Sequence, residues 1–241
     1  LPILKAQTEE DALRYSSLDF GGTARYNSVA GAFGALGADL SVLSVNPAGM
    51  ARFKTSEWSI TPQIGLQNSS TQFMGTNATN GHESFVIGNI GIVGVIKAGK
   101  ESASLWKSIQ FGLSYNRLAN FNERTSISGI SDTSISYVFA AQAGGIHPDE
   151  IYESLPFTSG LAYDAYVIDP GDSSGNYYTT EMYQGEFNHQ HTITRKGHMG
   201  ETALAISGNF NNKIYIGGTI GFPTIRFRQE KNHTETALSD S

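Results

Sequence analysis

The chain has 241 residues, no cysteine, 27 glycines, 16% charged residues and a formal net charge of −6. The missing cysteines exclude disulfides, thiolate nucleophiles and cysteine-based metal sites. An acidic balance with no Lys/Arg cluster excludes nucleic acid as a partner. No apolar window reaches the length of about 18 residues that a transmembrane helix needs, a test that barrel strands of about 9–11 residues escape.

Leu1 to Ala6, LPILKA, followed by the polar Gln7 to Asp11, reads as the tail of a signal peptide cleaved after Ala6. Asp11 to Tyr15 is a weak helical segment. Gly21 to Arg52 is rich in small residues and almost uncharged. Ala24, Val29, Phe33, Leu36, Leu40 and Leu43 follow a helical spacing, but Gly31, Gly34 and Gly37 interrupt it at about 1 kcal/mol each relative to alanine. Short helical turns packed closely against a wall are therefore expected, with Gly34 and Ala35 as positions where bulk would disturb the seating. Pro47 ends the segment by biasing Asn46 away from helical geometry.

Strand patterning begins at Trp58. Trp58, Ile60, Pro62, Ile64 and Leu66 alternate with polar or small residues, and Pro62 suits an edge strand. Asn77 to Gly81, NATNG, reads as a turn. In Phe85 to Lys97, Ile90, Ile92 and Ile96 share one face and Gly91, Val93 and Val95 the other. Ile109, Phe111, Leu113 and Tyr115 alternate with Gln110, Gly112, Ser114 and Asn116, apolar outward and polar inward, in a strand expected to run through Phe121 toward Ser126. Residues 129–183 lack a sustained strand pattern, with helical turns expected at Ile135 to Ala143 and Pro148 to Leu155, and read as one long loop. Strands return over Phe187 to Arg195, which alternates loosely, and over Ala203 to Phe210, and Asn211-Asn212 is a hairpin signal before Ile214 to Phe222. About six strands fall short of the eight or so that a small closed barrel needs, so the chain reads as the N-terminal part of something longer.

Several patterns that carry chemistry elsewhere are weak here. Gly31, Gly34 and Gly37 are spaced G-x-x-G-x-x-G with no strand before them, unlike a dinucleotide fingerprint. Gly171 to Gly175 matches G-x-S-x-G inside a turn-rich stretch, without the strand-to-helix setting of a nucleophile elbow. His189, His191 and His198 read as polar histidines at a loop edge, since no carboxylate or cysteine in the sequence completes a metal set with them. Tyr163, Tyr166, Tyr177, Tyr178 and Tyr183 suit loops and an interfacial girdle. Phe157, Leu161 and Tyr163 are the candidates for an apolar groove in the long loop.

The blocks Gly22-Thr23-Ala24-Arg25, Ala30 to Phe33, Ala35 to Asp39 and Asn46-Pro47-Ala48-Gly49 resemble, in order and spacing, the motifs of the FadL/TodX-type outer-membrane transporters, with a Bacteroidetes-like character in Asn211 to Phe222. Asp39 stands alone where the family pattern has an acidic pair. The resemblance implies an all-β fold, an antiparallel transmembrane β-barrel with an N-terminal hatch in its lumen. Residues 7–53 would be that hatch, and residues 54–241 an incomplete wall with a long extracellular loop over 129–183. It implies passive uptake of long-chain fatty acids or aromatic hydrocarbons across the outer membrane of a Gram-negative bacterium, by a monomeric barrel among outer-membrane lipids and lipopolysaccharide. No enzyme activity, cofactor or metal is implied. Asn46, Pro47, Ala48 and Gly49, with Phe33, would lie near the inner ligand pocket. The alternatives are a haem-related receptor on the same fold and a soluble β-sandwich binding module.

Overall fold

The computed structural model describes residues 9–19, 21–99, 103–180 and 185–238; the expected signal-peptide remnant lies outside them. The fold is mostly antiparallel β. Short helices α1 (Glu9–Ser16), α2 (Ala24–Ser28) and α3 (Val42–Val45), and a 3-10 turn at Pro47–Arg52, precede the first strand. Strands β1 (Glu57–Phe73), β2 (Thr76–Lys97), β3 (Trp106–Asn120) and β4 (Glu123–Ser131) follow. An insertion then carries α4 (Ser136–Ala143), a 3-10 turn at Pro148–Glu150, α5 (Ile151–Ser154), α6 (Ser159–Asp164) and the two-stranded pair β5 (Ile168–Pro170) and β6 (Tyr178–Thr180). The chain returns through β7 (Phe187–Phe210) and β8 (Ile214–Ala237).

One six-stranded sheet runs β1-β2-β3-β7-β4, with β8 also paired to β7. β7 pairs with both β3 and β4, which are separate strands. The break falls at Phe121–Asn122, where a continuous strand was expected; Phe121 N–H instead bonds to Gly197 O at 3.0 Å. β1, with Pro62, is a sheet edge, where a residue without an N–H does least harm. The turn expected at Asn77–Gly81 lies inside β2. The chain reverses at Met74-Gly75, with φ of 47° and 79°, as the Asn211-Asn212 turn does with 52° and 56°. Two successive positive φ values match the turn twist that tight hairpins prefer.

Two compact units divide the chain. One takes the described residues of Leu1–Gln67, Gly81–Glu123 and Thr194–Glu230, and includes the connections 98–105 and 211–213. Its core is Leu40, Leu43, Met50 and Phe53 of the N-terminal segment with Val93, Ala203 and Ala205 of the sheet. The other takes the described residues of Asn68–Asn80, Arg124–Ile193 and Lys231–Ser241, and includes the Met74-Gly75 turn and the insertion. Its core is Ala140, Ala143, Ile151, Ala162, Ile168 and Tyr178. Tyr178 Oη donates to Ile146 O at 2.9 Å, tying β6 to the helical part of the insertion.

The first unit's sheet is solvated in the reverse of the usual sense. Registered rows Ile92–Leu113–Leu204 and Gly94–Phe111–Ile206 cross three strands, and their large side chains are exposed. The alternating rows, Asn89–Asn116–Glu201 and Val95–Gln110–Ser207, include Asn89 and Gln110 at 0% exposure. Trp58 and Leu66 on β1 are 75% and 74% exposed.

Candidate functional site

The residues of the N-terminal motifs converge on one buried carboxylate. Asp39 is 4% exposed. Thr23 Oγ1 donates to it at 2.9 Å, Ser41 N–H at 2.9 Å and Arg25 Nε at 3.1 Å. Thr23 also caps α2 by accepting from Tyr26 N–H at 3.2 Å, and its own N–H donates to Ser41 Oγ at 2.7 Å. A buried charge survives only when paired and hydrogen-bonded; Thr23 and Arg25 come from a motif block, and Ser41 lies just beyond the block that ends at Asp39. Phe33 is buried with Tyr26 and Val42, and the Arg25 guanidinium lies 4.8 Å from its ring centre.

The Asn46 to Gly49 block closes the segment onto itself. Asn46 Nδ2 donates to Gly34 O at 2.6 Å, and Ala38 N–H donates to Gly49 O at 3.0 Å. Gly37, at φ +65°, meets Gly49 so closely that a Cβ on Gly37 would stand 2.5 Å from Gly49 O. The close approaches therefore lie at Gly37 and Gly49. At Gly34 a Cβ meets only Val45 at 3.8 Å, and Ala35 is exposed, so these positions have room that the sequence did not suggest. Pro47 and Ala48 are half-buried, and a Cβ on Gly217 of β8 would strike the Pro47 carbonyl at 2.5–2.6 Å.

The segment seats on the polar face of the sheet. At Gly112 a Cβ would come within 2.5 Å of Met50 Sδ and 2.6 Å of Leu43 Cδ2, so glycine makes the socket for both side chains. Around it, Gln110 Nε2 donates to Ala51 O at 3.4 Å and Phe53 O at 3.3 Å, while Thr219 Oγ1 donates to Leu43 O. Side chains of the sheet thus satisfy carbonyls that the short helices leave unpaired.

Beside α1 is a cavity of about 510 Å³ bordered by Leu13, Arg14, Gln67, Phe121, Arg195 and Phe227 among others. Its aromatic rings pack edge to face, Phe121 to Phe227 at 5.8 Å and Tyr15 to Phe121 at 6.1 Å. The Arg14 guanidinium lies 3.9 Å from the Phe227 ring centre. Both cations are paired, Arg14 to Asp11 and Arg195 to Glu123 at 2.8 Å. Three apolar side chains, Leu13, Phe121 and Phe227, stand among seven polar or charged ones in the lining, so the cavity can take a molecule with both an apolar part and polar groups. None of these lining residues was picked out from the sequence, because α1 and Phe227 are brought together only by the fold.

In the insertion, Phe157 and Leu161 are exposed, whereas Tyr163 turns inward to Tyr152 and Tyr178, with ring centres at 6.2 and 6.3 Å. Burial first, then the nearby charge of Asp164, pushes the Tyr152 phenol above its ordinary range. Gly171–Gly175 joins β5 to β6, strand to strand, and Asp172 organises it by accepting from Asn176 Nδ2 at 2.8 Å and Asn176 N–H at 3.0 Å. The strand-to-helix turn of a nucleophile elbow is therefore absent from this segment.

The histidines separate. His198 lies in the first unit, near Arg117 and Arg226. His189 is buried, with Nδ1 3.4 Å from Glu235 Oε1, and the ring of His191 stands 5.5 Å from that of His233. A carboxylate does join the set, contrary to the expectation from sequence. The missed signal was His-x-Glu on β8, about as far past the Asn211-Asn212 turn as His-x-His on β7 lies before it.

Comparison of the chain with family models, with curated proteins and with solved structures returns no match.

Proposed function

We propose that the chain forms part of the wall and the hatch of an outer-membrane β-barrel that takes up hydrophobic small molecules by passive diffusion. The observation that carries this reading is the reversed solvation of the sheet: isoleucine, leucine and phenylalanine outward, asparagine, glutamine and serine buried inward. A soluble monomer rarely exposes an apolar patch beyond a few hundred Å², and a β-sandwich would bury this face against a second sheet. Lipid is the solvent that such a face fits. Trp106 to Tyr115 makes about 30 Å of strand, and a tilt of about 40° brings that near the apolar band of about 25 Å typical of outer-membrane barrels. Trp58 and Trp106 open β1 and β3 as interfacial anchors would.

On this reading residues 9–53 are the hatch, held on the lumenal face by Gln110, Gly112 and Thr219. The cavity beside α1 is the ligand chamber. The motifs that resemble the FadL/TodX-type transporters are the ones that build the Asp39 network and the Gly37–Gly49 closure, which supports the resemblance with a physical role for each block. The test is binding and uptake of a radiolabelled long-chain fatty acid and an aromatic hydrocarbon by the full-length protein, with Leu13→Asp as the variant. Saturable binding, weakened about tenfold or more by the buried charge, is expected. Absence of binding to either ligand would overturn the transport reading.

A further inference from the structure

Four residues at the far ends of the β7–β8 hairpin form a cluster that the transport reading does not use. His189 and His191 alternate on β7, and His233 and Glu235 on β8. His233 Nε2 is 2.9 Å from Glu235 Oε1, and His189 Nδ1 is 3.4 Å from the same oxygen. One ligand atom from each of His189, His233 and Glu235 lies within 4.8 Å of the others. In a tetrahedral site with metal–nitrogen and metal–oxygen bonds of about 2.0–2.2 Å, neighbouring ligand atoms stand about 3.3–3.5 Å apart. One separation, 3.4 Å, lies in that range, another, 2.9 Å, is shorter, and the third is within 4.8 Å, so side-chain rotations complete the set.

We propose that His189, His233 and Glu235 bind a divalent first-row transition-metal ion of the zinc class. Burial supports a built site: the His189 and Glu235 side chains are 9% and 8% exposed. His189 presents Nδ1 to Glu235 Oε1, and its Nε2 is buried with no hydrogen-bond partner among the described residues. Glu235 is held in place by the kind of outer contacts that orient ligands. Its Oε2 accepts from Ser134 Oγ at 2.6 Å and its Oε1 from Ile135 N–H at 2.7 Å. Two imidazoles with one carboxylate suit zinc, nickel or copper(II), and disfavour magnesium and calcium, which take oxygen shells. His191, beside His233, or a water fills the remaining position.

The site has a structural consequence. Ser134 and Ile135 open the insertion, and Ser136 Oγ links Ser134 Oγ at 3.0 Å to Thr180 Oγ1 of β6 at 2.6 Å. A metal ion on Glu235 therefore fastens the start of the insertion to β8. The inference stands on this cluster alone and does not depend on where the wall resides.

The test is calorimetric titration of chelator-treated full-length protein with zinc chloride, with cobalt(II) absorption in parallel to report the ligand field. One equivalent per chain at micromolar or tighter affinity is expected, together with slower proteolysis of the insertion. His233→Gln removes a ligand without touching the Ser134 and Ile135 contacts, so it is the deciding variant and should weaken binding at least about tenfold. Glu235→Gln should do the same, and Ser134→Ala should weaken it several-fold. His147→Gln, altering an exposed histidine of the insertion, should change nothing. No stoichiometric binding, unchanged binding in His233→Gln, or loss in His147→Gln in place of His233→Gln would each overturn the site.

Discussion

Asp39 collects the amide, hydroxyl and guanidinium donors that hold the N-terminal segment together, and it is nearly inaccessible. Asp39→Asn keeps the shape and removes the charge, at an expected cost of about 2–3 kcal/mol for a buried charge-assisted network. At about 1.4 kcal/mol per decade, amide exchange at Thr23, Tyr26 and Ser41 should speed up roughly 30- to 100-fold. Asp172 gives the residue scale a pH signature. The Asn176 side chain, then the Asn176 amide, hold its carboxyl below the ordinary value of 3.8. A carboxyl depressed in the folded state stabilises above its unfolded value, and that contribution is lost as pH falls through the folded one. The Ser174 and Asn176 amide resonances should therefore hold steady as the pH is lowered to about 4 and shift only below it, and Asp172→Asn should abolish the transition.

At the scale of elements, the N-terminal segment and the sheet meet through a few sheet positions. Gly112→Leu puts a side chain where Met50 Sδ and Leu43 Cδ2 already sit, an overpacking that costs about 1–3 kcal/mol. On the proposed function it unseats the hatch, so cells carrying the full-length variant should admit large antibiotics more readily; unchanged permeability would count against the plug. How far the elements were legible depended on what each side of a strand meets. In β3, one face is apolar and exposed and the other meets the N-terminal segment, so Ile109 to Asn116 shows its pattern openly. In Thr76 to Gly81 and Pro223 to Lys231, polar side chains occur on both faces, alternation carries no information, and strand residues resembled a turn or a loop. The Asp39 network was legible only as motif blocks, since Thr23, Arg25 and Asp39 meet by tertiary folding. The cavity beside α1 was not legible, because it needs pairings between distant parts of the chain, whereas the His189–Glu235 contact could have been read from the spacing of His-x-His and His-x-Glu about the Asn211-Asn212 turn.

For the whole molecule, the proposed function makes lipid the solvent of the exposed apolar face. A charge placed in the middle of that face should be resisted: Phe111→Arg is expected to cost about 2–4 kcal/mol at the bilayer midplane, read as reduced assembly of the full-length protein into membranes. The most direct measurement exploits the absence of native cysteine. Single cysteines at Leu113 and Ser114, adjacent residues on opposite faces of β3, can each carry the only spin label in the full-length protein reconstituted in liposomes. Collision with oxygen, which dissolves in lipid, is then compared with collision by a water-soluble nickel chelate. Strong oxygen broadening at 113 and weak broadening by either reagent at 114, which is buried, is the expected result. A label at 113 that collides chiefly with the nickel chelate would contradict the membrane barrel.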